Sequence, residues 1–507
     1  MVCRIGTGAL LGIDVSPVRV EADVAGGLPS FFIVGMGDRA VAESRHRVRA
    51  AIKHSGFSFP DGRLTVNLAP ADLRKDGTGF DLPIAAAIVL AAREAKVDTS
   101  GLFVAGELAL DGSVRPIPGG ICLAAKAKAM GLSTVVLPRA SAAEAAVVEG
   151  IEVLACDNLS EVVAFLLGER SLPRARPVEA RDDRIEPDLA DVRGQAQARR
   201  ALEIAAAGGH NLLFLGPPGT GKTMLARRLP SLLPDLSFED ALEATTVWSA
   251  AGRLTGGAIV RRPPFRAPHH SVSDAGLVGS ARPPTPGEAT LAHRGVLFLD
   301  ELAEFRRNAL EALREPLEDR EIRIRRAQLS VRYPAAFQLV ATMNPCPCGR
   351  YSVANPVRCT CDAEAIRRYR SRVSGPLLDR IDMHVEVQPV SAGELSGPPG
   401  ESSAVVRERV LAARERAAAR LSRFPQMGAA RVNAAIPPSL IREACRPTKE
   451  AERHLAELVS GWELSARAFD RLLRVARTIA DLEDREQMGI EEVVRATAYR
   501  TLDQGVV

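Results

Sequence analysis

Residues 211–223 read Asn-Leu-Leu-Phe-Leu-Gly-Pro-Pro-Gly-Thr-Gly-Lys-Thr, and the helix-forming Met-Leu-Ala-Arg-Arg-Leu follows at 224–229. An apolar run, a glycine-rich loop and a helix in that order satisfy the pattern GxxxxGK[ST] in the context that gives it meaning. In Gly216, Pro217, Pro218, Gly219, Thr220, Gly221, Lys222 and Thr223 the glycines let backbone N–H groups face phosphate oxygens, and the helix start adds partial positive charge. Lys222 then reaches the β- and γ-phosphates of ATP, and the Thr223 hydroxyl ligates Mg²⁺. The bland reading, a glycine-rich turn with a chance lysine, requires motif and context to coincide by accident.

Further along, Gly295-Val-Leu-Phe-Leu-Asp300-Glu301 is an apolar strand ending in two acids, as expected of a parallel neighbour whose carboxyl end meets the nucleotide. Asp300 is expected to hold the metal and Glu301 to polarise the attacking water, so the pair implies hydrolysis as well as binding. A third strand, 338–343, ends at Asn344, whose amide either orients the lytic water or forms a turn.

The surroundings fit a multidomain soluble protein. The 507 residues are 46% hydrophobic and 25% charged, which excludes long disorder, a collagen-like repeat or a coiled-coil rod. Residues 1–170 alternate short apolar runs (31–34, 64–68, 104–110, 134–137) with helix-like stretches, an α/β or α+β pattern. Residues 171–190 are charged and proline-rich and read as a linker. Residues 191–395 alternate strand and helix as a parallel sheet with helices on both faces requires. Residues 396–507, after a second linker at 391–403, are helical in pattern. The longest apolar run, 82–92, contains Pro83 and is far short of the roughly 20 residues that span a bilayer. The apolar stretch 9–13 is too short for a signal segment, so a cytoplasmic location is expected.

These motifs together resemble the AAA+ ATPases. The resemblance implies that Asn344 is the sensor-1 residue and that Arg380, in Ser374-Gly-Pro-Leu-Leu-Asp-Arg-Ile-Asp382, is an arginine finger acting on a neighbouring subunit. The alternative for Arg380 is a surface pair with Asp379 or Asp382. Arg467, following the candidate helix cap Ser465, matches the sensor-2 arginine; otherwise it is a solvated helix charge. Phe265-Arg-Ala-Pro-His-His-Ser271, Met343-Asn-Pro-Cys-Pro-Cys-Gly349 and the stretch 374–387 narrow the resemblance to the YifB/ComM family of magnesium-chelatase-like ATPases, over essentially the whole chain. It implies a Lon-protease-like N-terminal domain, an AAA+ core, a helical lid and a hexameric ring. A Lon-type Ser–Lys dyad is missing: Gly79 stands where the serine belongs and Cys122 where the lysine belongs, so no proteolysis is expected.

The net charge of +4 excludes a bulk nucleic-acid binder, but arginine is concentrated locally. Residues 321–334 (Glu-Ile-Arg-Ile-Arg-Arg-Ala-Gln-Leu-Ser-Val-Arg-Tyr-Pro) read as a hairpin with Arg323, Arg325, Arg326 and Arg332 against one glutamate. In ring helicases this position carries a channel hairpin, where arginines bind phosphates with little sequence preference; the alternative is an ordinary solvated hairpin. His269 and His270 are either structural or face the same channel. Cys346-x-Cys348-x₁₀-Cys359-x-Cys361 supplies four thiolates, the number a tetrahedral zinc site takes, with buried thiols or redox chemistry as the other readings. A run of four arginines at 366–372 follows. The combined expectation is a ring-forming, ATP-dependent DNA motor, a helicase promoting branch migration in recombination or DNA uptake, acting on branched or duplex DNA. The alternative is an AAA+ protein-remodelling or metal-chelatase-type subunit.

Overall fold

The alternation of buried and exposed side chains along Val2–Leu11 and Asp14–Ala25 makes these two strands an antiparallel hairpin with one face in a core. The computed structural model describes residues 2–502 apart from 179–185, 255, 282–283, 327–328, 352–358, 429–430 and 463–464. In it the hairpin sits inside a seven-stranded mixed sheet. The order is Ser30–Val34, Arg63–Ala69, Asp14–Ala25, Val2–Leu11, Leu102–Val104, Thr134–Pro138, Glu152–Cys156. The apolar run at 82–92 forms most of the helix Asp81–Ala92, buried from Asp81 to Ala91. A helix that is apolar all round belongs in a core, and no described helix is long and apolar enough to cross a membrane. The run 104–110 does not form one strand; it divides between Leu102–Val104 and Glu107–Leu108.

The second sheet is parallel throughout, in the order Phe265–Arg266, Val296–Leu299, Gln338–Met343, Leu212–Leu215, Met383–Glu386. Its three inner strands are buried at every position, as expected of parallel strands covered by helices on both faces. The chain turns from Leu212–Leu215 into the glycine loop between two strands that come later in sequence, which opens a crevice at their carboxyl ends.

Helices Ser403–Leu421, Lys449–Trp462, Ala466–Leu482 and Ile490–Thr497 cover one side of this sheet and share its apolar core. Ser465 caps the third of them by accepting from the Ala468 N–H. A buried polar network ties the helices to the sheet. Asp481 accepts from Arg420 at 2.5 and 2.8 Å, from Arg477 at 2.8 and 3.1 Å and from Asn433 at 2.8 Å. One turn earlier Thr478 Oγ1 lies 2.7 Å from His210 Nε2, just before the strand that feeds the glycine loop.

Described residues in both stretches read as linkers take defined places in the fold. Residues 173–175 run along the Glu152–Cys156 edge, Leu172 is buried in the N-terminal core, and Leu189 is buried in the core of the second sheet. Within 391–403, Ala392–Leu395 forms a helical turn whose capping box joins Ser391 and Glu394, a local signal outweighed in the sequence by the surrounding glycine and proline.

Removing one member of a buried ion cluster leaves the others uncompensated, at a cost of about 3–5 kcal/mol. Asp481→Ala is expected to lower the melting temperature by about 10 °C in a scanning calorimeter, whereas Arg368→Ala, which breaks the exposed pair with Glu364, shifts it by less than about 2 °C.

Candidate nucleotide site and its neighbours

The glycine loop closes on itself around Lys222. The ammonium donates to Gly216 O at 2.6 Å, Pro217 O at 2.8 Å and Asn344 Oδ1 at 3.2 Å, which uses all three of its protons. Burial pulls its pKa below the usual lysine range, opposed by the charges of Asp300 and Glu301. Gly219 and Gly221 take φ of 79° and 88°, so the loop's sharp turns suit glycine. A phosphate entering the loop would replace the carbonyl acceptors of Lys222 with charged oxygens, which make stronger hydrogen bonds.

Three chain segments meet at Asp300. Thr223 Oγ1, at the start of the helix after the loop, lies 2.9 and 3.2 Å from the two carboxylate oxygens, and Thr342 Oγ1 donates to Oδ1 at 2.5 Å. The Thr342 hydroxyl also accepts the Glu301 N–H at 3.0 Å. A hydroxyl and a carboxylate side by side are hard oxygen donors of the kind Mg²⁺ takes while keeping several waters, so Thr223 and Asp300 fit that ion. Glu301 itself has φ of 56°, which turns its side chain out of the strand direction; the side chain is 52% exposed. Thr342 did not stand out in the sequence, where a threonine in an apolar strand reads as a β-former; only its strand pairing reveals its role.

Arg380 and Arg467 lie apart from this group and together. Arg380 pairs with Glu318 and donates to Pro376 O at 2.7 Å, while Arg467 Nη2 stands 3.7 Å from the other Glu318 oxygen. Neither suggested surface partner holds Arg380. Asp382 is instead buried: burial opposes its charge, but His210 at 3.8 Å, Arg471 at 3.4 Å and the Asn211 N–H at 2.9 Å hold its pKa down at about 2. Within the chain, therefore, the two arginines face Glu318 and not the loop.

The four sulfurs of Cys346, Cys348, Cys359 and Cys361 lie within 4.8 Å of one another. Three of the separations are 3.4, 3.7 and 3.7 Å, close to the edge of about 3.8 Å in a tetrahedron with 2.3 Å zinc–sulfur bonds. Backbone N–H groups of Tyr351 and Cys361 point at Sγ of Cys346 and Cys359 at 3.4 Å, and those of Thr360 and Arg350 pull the Cys348 thiol down to about 5. The residue set fits zinc. The knuckle also touches the phosphate loop: Gly349 has φ of 75°, and a Cβ there would meet Pro218 Cδ at 2.6 Å.

The arginines of 366–372 are less free than a run of four suggests. Arg370 donates to Pro345 O at 3.1 Å and stacks over Tyr351, Arg368 pairs with Glu364, and Arg372 pairs with Glu304. In the hairpin, Glu321–Arg326 pairs antiparallel with Leu329–Pro334; Ile322, Val331 and Tyr333 are buried while Arg323 and Arg332 are directly opposite on the outer face. Both outer arginines lean toward Glu321. Residues 327–328 and the side chains of Arg325 and Arg326 lie outside the described residues.

In the N-terminal domain Cys122 lies beneath a helix of the second domain. Its Sγ is 4.0 Å from Thr246 O on the helix Phe238–Ala250, and burial pushes its pKa up to about 12. Glu144 fastens the same contact, accepting the Gly120 N–H at 2.9 Å and the Ser249 hydroxyl at 2.8 Å.

Comparison with known proteins accords with this geometry. Residues 188–395 match the family model for magnesium chelatase subunit ChlI, residues 20–141 a second model for subunit ChlI, and residues 400–500 that subunit's C-terminal model. The core is thus an AAA+ module of the magnesium-chelatase type. The chain is 44% identical over 503 residues to YifB of Escherichia coli, covering 99% of this chain and 97% of that one. It is 42% identical over 508 residues to the competence protein ComM of Haemophilus influenzae, covering 97% and 96%. It belongs to the YifB/ComM family of magnesium-chelatase-like proteins. A shorter likeness, 29% over 182 residues, is to Lon protease 2 of Bacillus subtilis, covering 33% of this chain and 30% of that one.

The Thr342 hydroxyl is the shared support of both acids. Thr342→Val, which keeps the shape and removes the hydroxyl, is expected to lower Mg²⁺-dependent ATP turnover about tenfold with nucleotide affinity little changed, read by steady-state kinetics and a fluorescent nucleotide.

Proposed function

We propose that this protein is a ring-forming, ATP-hydrolysing DNA motor of the helicase or branch-migration kind. The observation that carries the reading is the arginine hairpin: its second strand, Leu329–Pro334, leads within four residues into Gln338–Met343, the strand that ends at Asn344 beside Lys222. A cationic surface and the amide that senses the γ-phosphate are thereby on one short path.

In this reading ATP sits on the glycine loop, with Lys222 on its terminal phosphates and Thr223 and Asp300 holding Mg²⁺, which neutralises phosphate charge when bound. Glu301 accepts the proton of the attacking water and Asn344 orients that water. Arg380 and Arg467, presented together by Glu318, act on the nucleotide of the adjacent subunit, so hydrolysis requires a ring, taken as a hexamer. Arg323 and Arg332 grip backbone phosphates without reading sequence. The inner face of the hairpin shares its core with Leu11 and Ile13, the turn of the first N-terminal hairpin, which makes the Lon-like domain a brace for the DNA-binding element. With Gly79 and Cys122 in place of a serine and a lysine, and Cys122 covered, that domain is not a protease. The cytoplasm is where such a motor meets DNA.

The test is ATP hydrolysis by the full chain with branched, duplex and single-stranded DNA over a range of salt. Stimulation by DNA that fades with salt is expected, and Arg323→Ala/Arg332→Ala should lose most of it and reduce the salt slope of binding by about 2. Absence of DNA binding and stimulation would remove the motor reading. The chelatase name of the matching family models favours a second one, a protein-remodelling or metal-inserting ATPase; hydrolysis indifferent to DNA and raised by a protein partner would establish it.

The cysteine knuckle is assigned to zinc, as a strut between Asn344 and the phosphate loop. Elemental analysis of purified protein should give about one zinc per chain, and Cys346→Ser/Cys359→Ser should abolish it. Because Gly349 rests on Pro218, removal of the metal with a strong chelator is expected to weaken nucleotide binding about tenfold or more.

A further inference from the structure

Gly295 and Gln338, at the amino ends of two parallel strands and so at the end of the sheet opposite the glycine loop, line a cleft of about 240 Å³. Four arginines line it as well. Arg294 and Arg320 come from the sheet region, and Arg414 and Arg431 from the helical region that covers it. The acids on the wall are Asp235 and Asp240, and both are engaged. Asp235 pairs with Arg407 at 2.8 Å, while Asp240 lies 3.1 Å from Arg294, which Glu243 also holds at 2.8 Å.

The other three guanidinium groups have no acidic partner among the described residues. Arg414 directs two N–H groups at a single backbone oxygen, Ala206 O, at 2.8 and 2.6 Å, and burial pulls its pKa down to about 10. Arg320 and Arg431, both exposed, make no hydrogen bond or ion pair within the described residues. The protein packed around Arg320, and after it the charges of Arg294 and Arg474, lower its pKa from the usual arginine range. Like charges gathered in a recess repel one another, and proteins ordinarily pair such groups.

An anion in the cleft would supply the missing partner. Guanidinium forks match phosphate oxygens in paired, charge-assisted hydrogen bonds. The volume falls below the roughly 300–1,000 Å³ of pockets that enclose a whole drug-sized ligand, so the group received is compact. We propose that this cleft is a second phosphate site, separate from the glycine loop, in which Arg320, Arg414 and Arg431 hold a phosphate or diphosphate group of a phosphorylated small molecule. Bound there, the anion fastens the helical region to the sheet. The inference goes beyond the motor reading and stands whether or not the glycine loop hydrolyses ATP.

Titration calorimetry with inorganic pyrophosphate tests it, on the full-length protein with the glycine loop filled by a non-hydrolysable ATP analogue. Wild type should take up about one further pyrophosphate per chain and melt at a higher temperature with it. Arg320→Gln/Arg431→Gln should weaken that uptake about tenfold or more while affinity for the ATP analogue changes less than about twofold. Its ligand-free melting temperature should equal or exceed that of wild type, since the substitutions relieve repulsion and break no bond, which a structural role for these arginines would not predict. Arg431→Gln alone should weaken uptake about threefold, and carries the comparison if the double variant does not fold. Added duplex or single-stranded DNA should leave the pyrophosphate in place; displacement by DNA, lost in the double variant, would keep the phosphate site but make a polynucleotide backbone the source of the phosphate. No uptake beyond the glycine loop, uptake unchanged in the double variant, or uptake abolished by Lys222→Ala overturns the inference.

Discussion

The carboxylate of Asp300 is the point at which the ATPase module is joined. Thr223 reaches it from the helix after the glycine loop and Thr342 from the strand that ends in Asn344, so three chain segments separated by many residues are held to one pair of oxygens. The second bond of Thr342, from the Glu301 N–H, sets the backbone from which the Glu301 side chain departs. Hydrogen bonds to a charged acceptor are stronger than neutral ones, and a buried polar group must be satisfied, so this junction resists small displacements. The proposed roles of Lys222, Glu301 and Asn344 all assume the spacing it imposes.

Around that junction the elements are arranged as levers more than as separate domains. The cysteine knuckle leans on Pro218 from one side, the hairpin feeds the Asn344 strand from another, and the N-terminal turn braces the hairpin's inner face. The helix Phe238–Ala250 connects the same way: one end of it covers Cys122 and donates to Glu144 through the Ser249 hydroxyl, and the chain beyond it leads to Phe265–Arg266 and the two histidines. The surroundings of Cys122 and Glu144 are thus a contact surface. A buried cysteine suits that use, being small and apolar where a lysine would have required a partner.

Local signals account for what was legible without coordinates. The glycine loop, the acid pair and the helical pattern of the last hundred residues each depend on neighbours in sequence, and the hairpin at 321–334 follows from alternation of Ile, Val and Tyr with Arg. The linkers were harder, because proline and charge mask a capping box in 391–403 and an edge strand contact in 173–175. The partners of the arginine clusters were not legible for a related reason: a string of charges does not reveal that Arg370 bonds Pro345, that Arg372 pairs with Glu304, or that Arg323 leans on Glu321.

The sequence by itself determined the chemistry on offer: a phosphate loop, two acids at a strand end, four thiols in two close pairs, and a glycine and a cysteine where the resemblance to a Lon-type dyad would put serine and lysine. Such features are written in residue type and short spacing, which folding does not alter. Which of them meet was decided only in three dimensions. Parallel strand order puts Thr342 between Asp300 and Glu301, Arg380 and Arg467 converge on Glu318, and Arg320 and Arg414, from distant stretches of the chain, line one cleft. Each pairing depends on sheet register and helix docking, which are set by burial summed over a whole core, and no short stretch of sequence contains that sum.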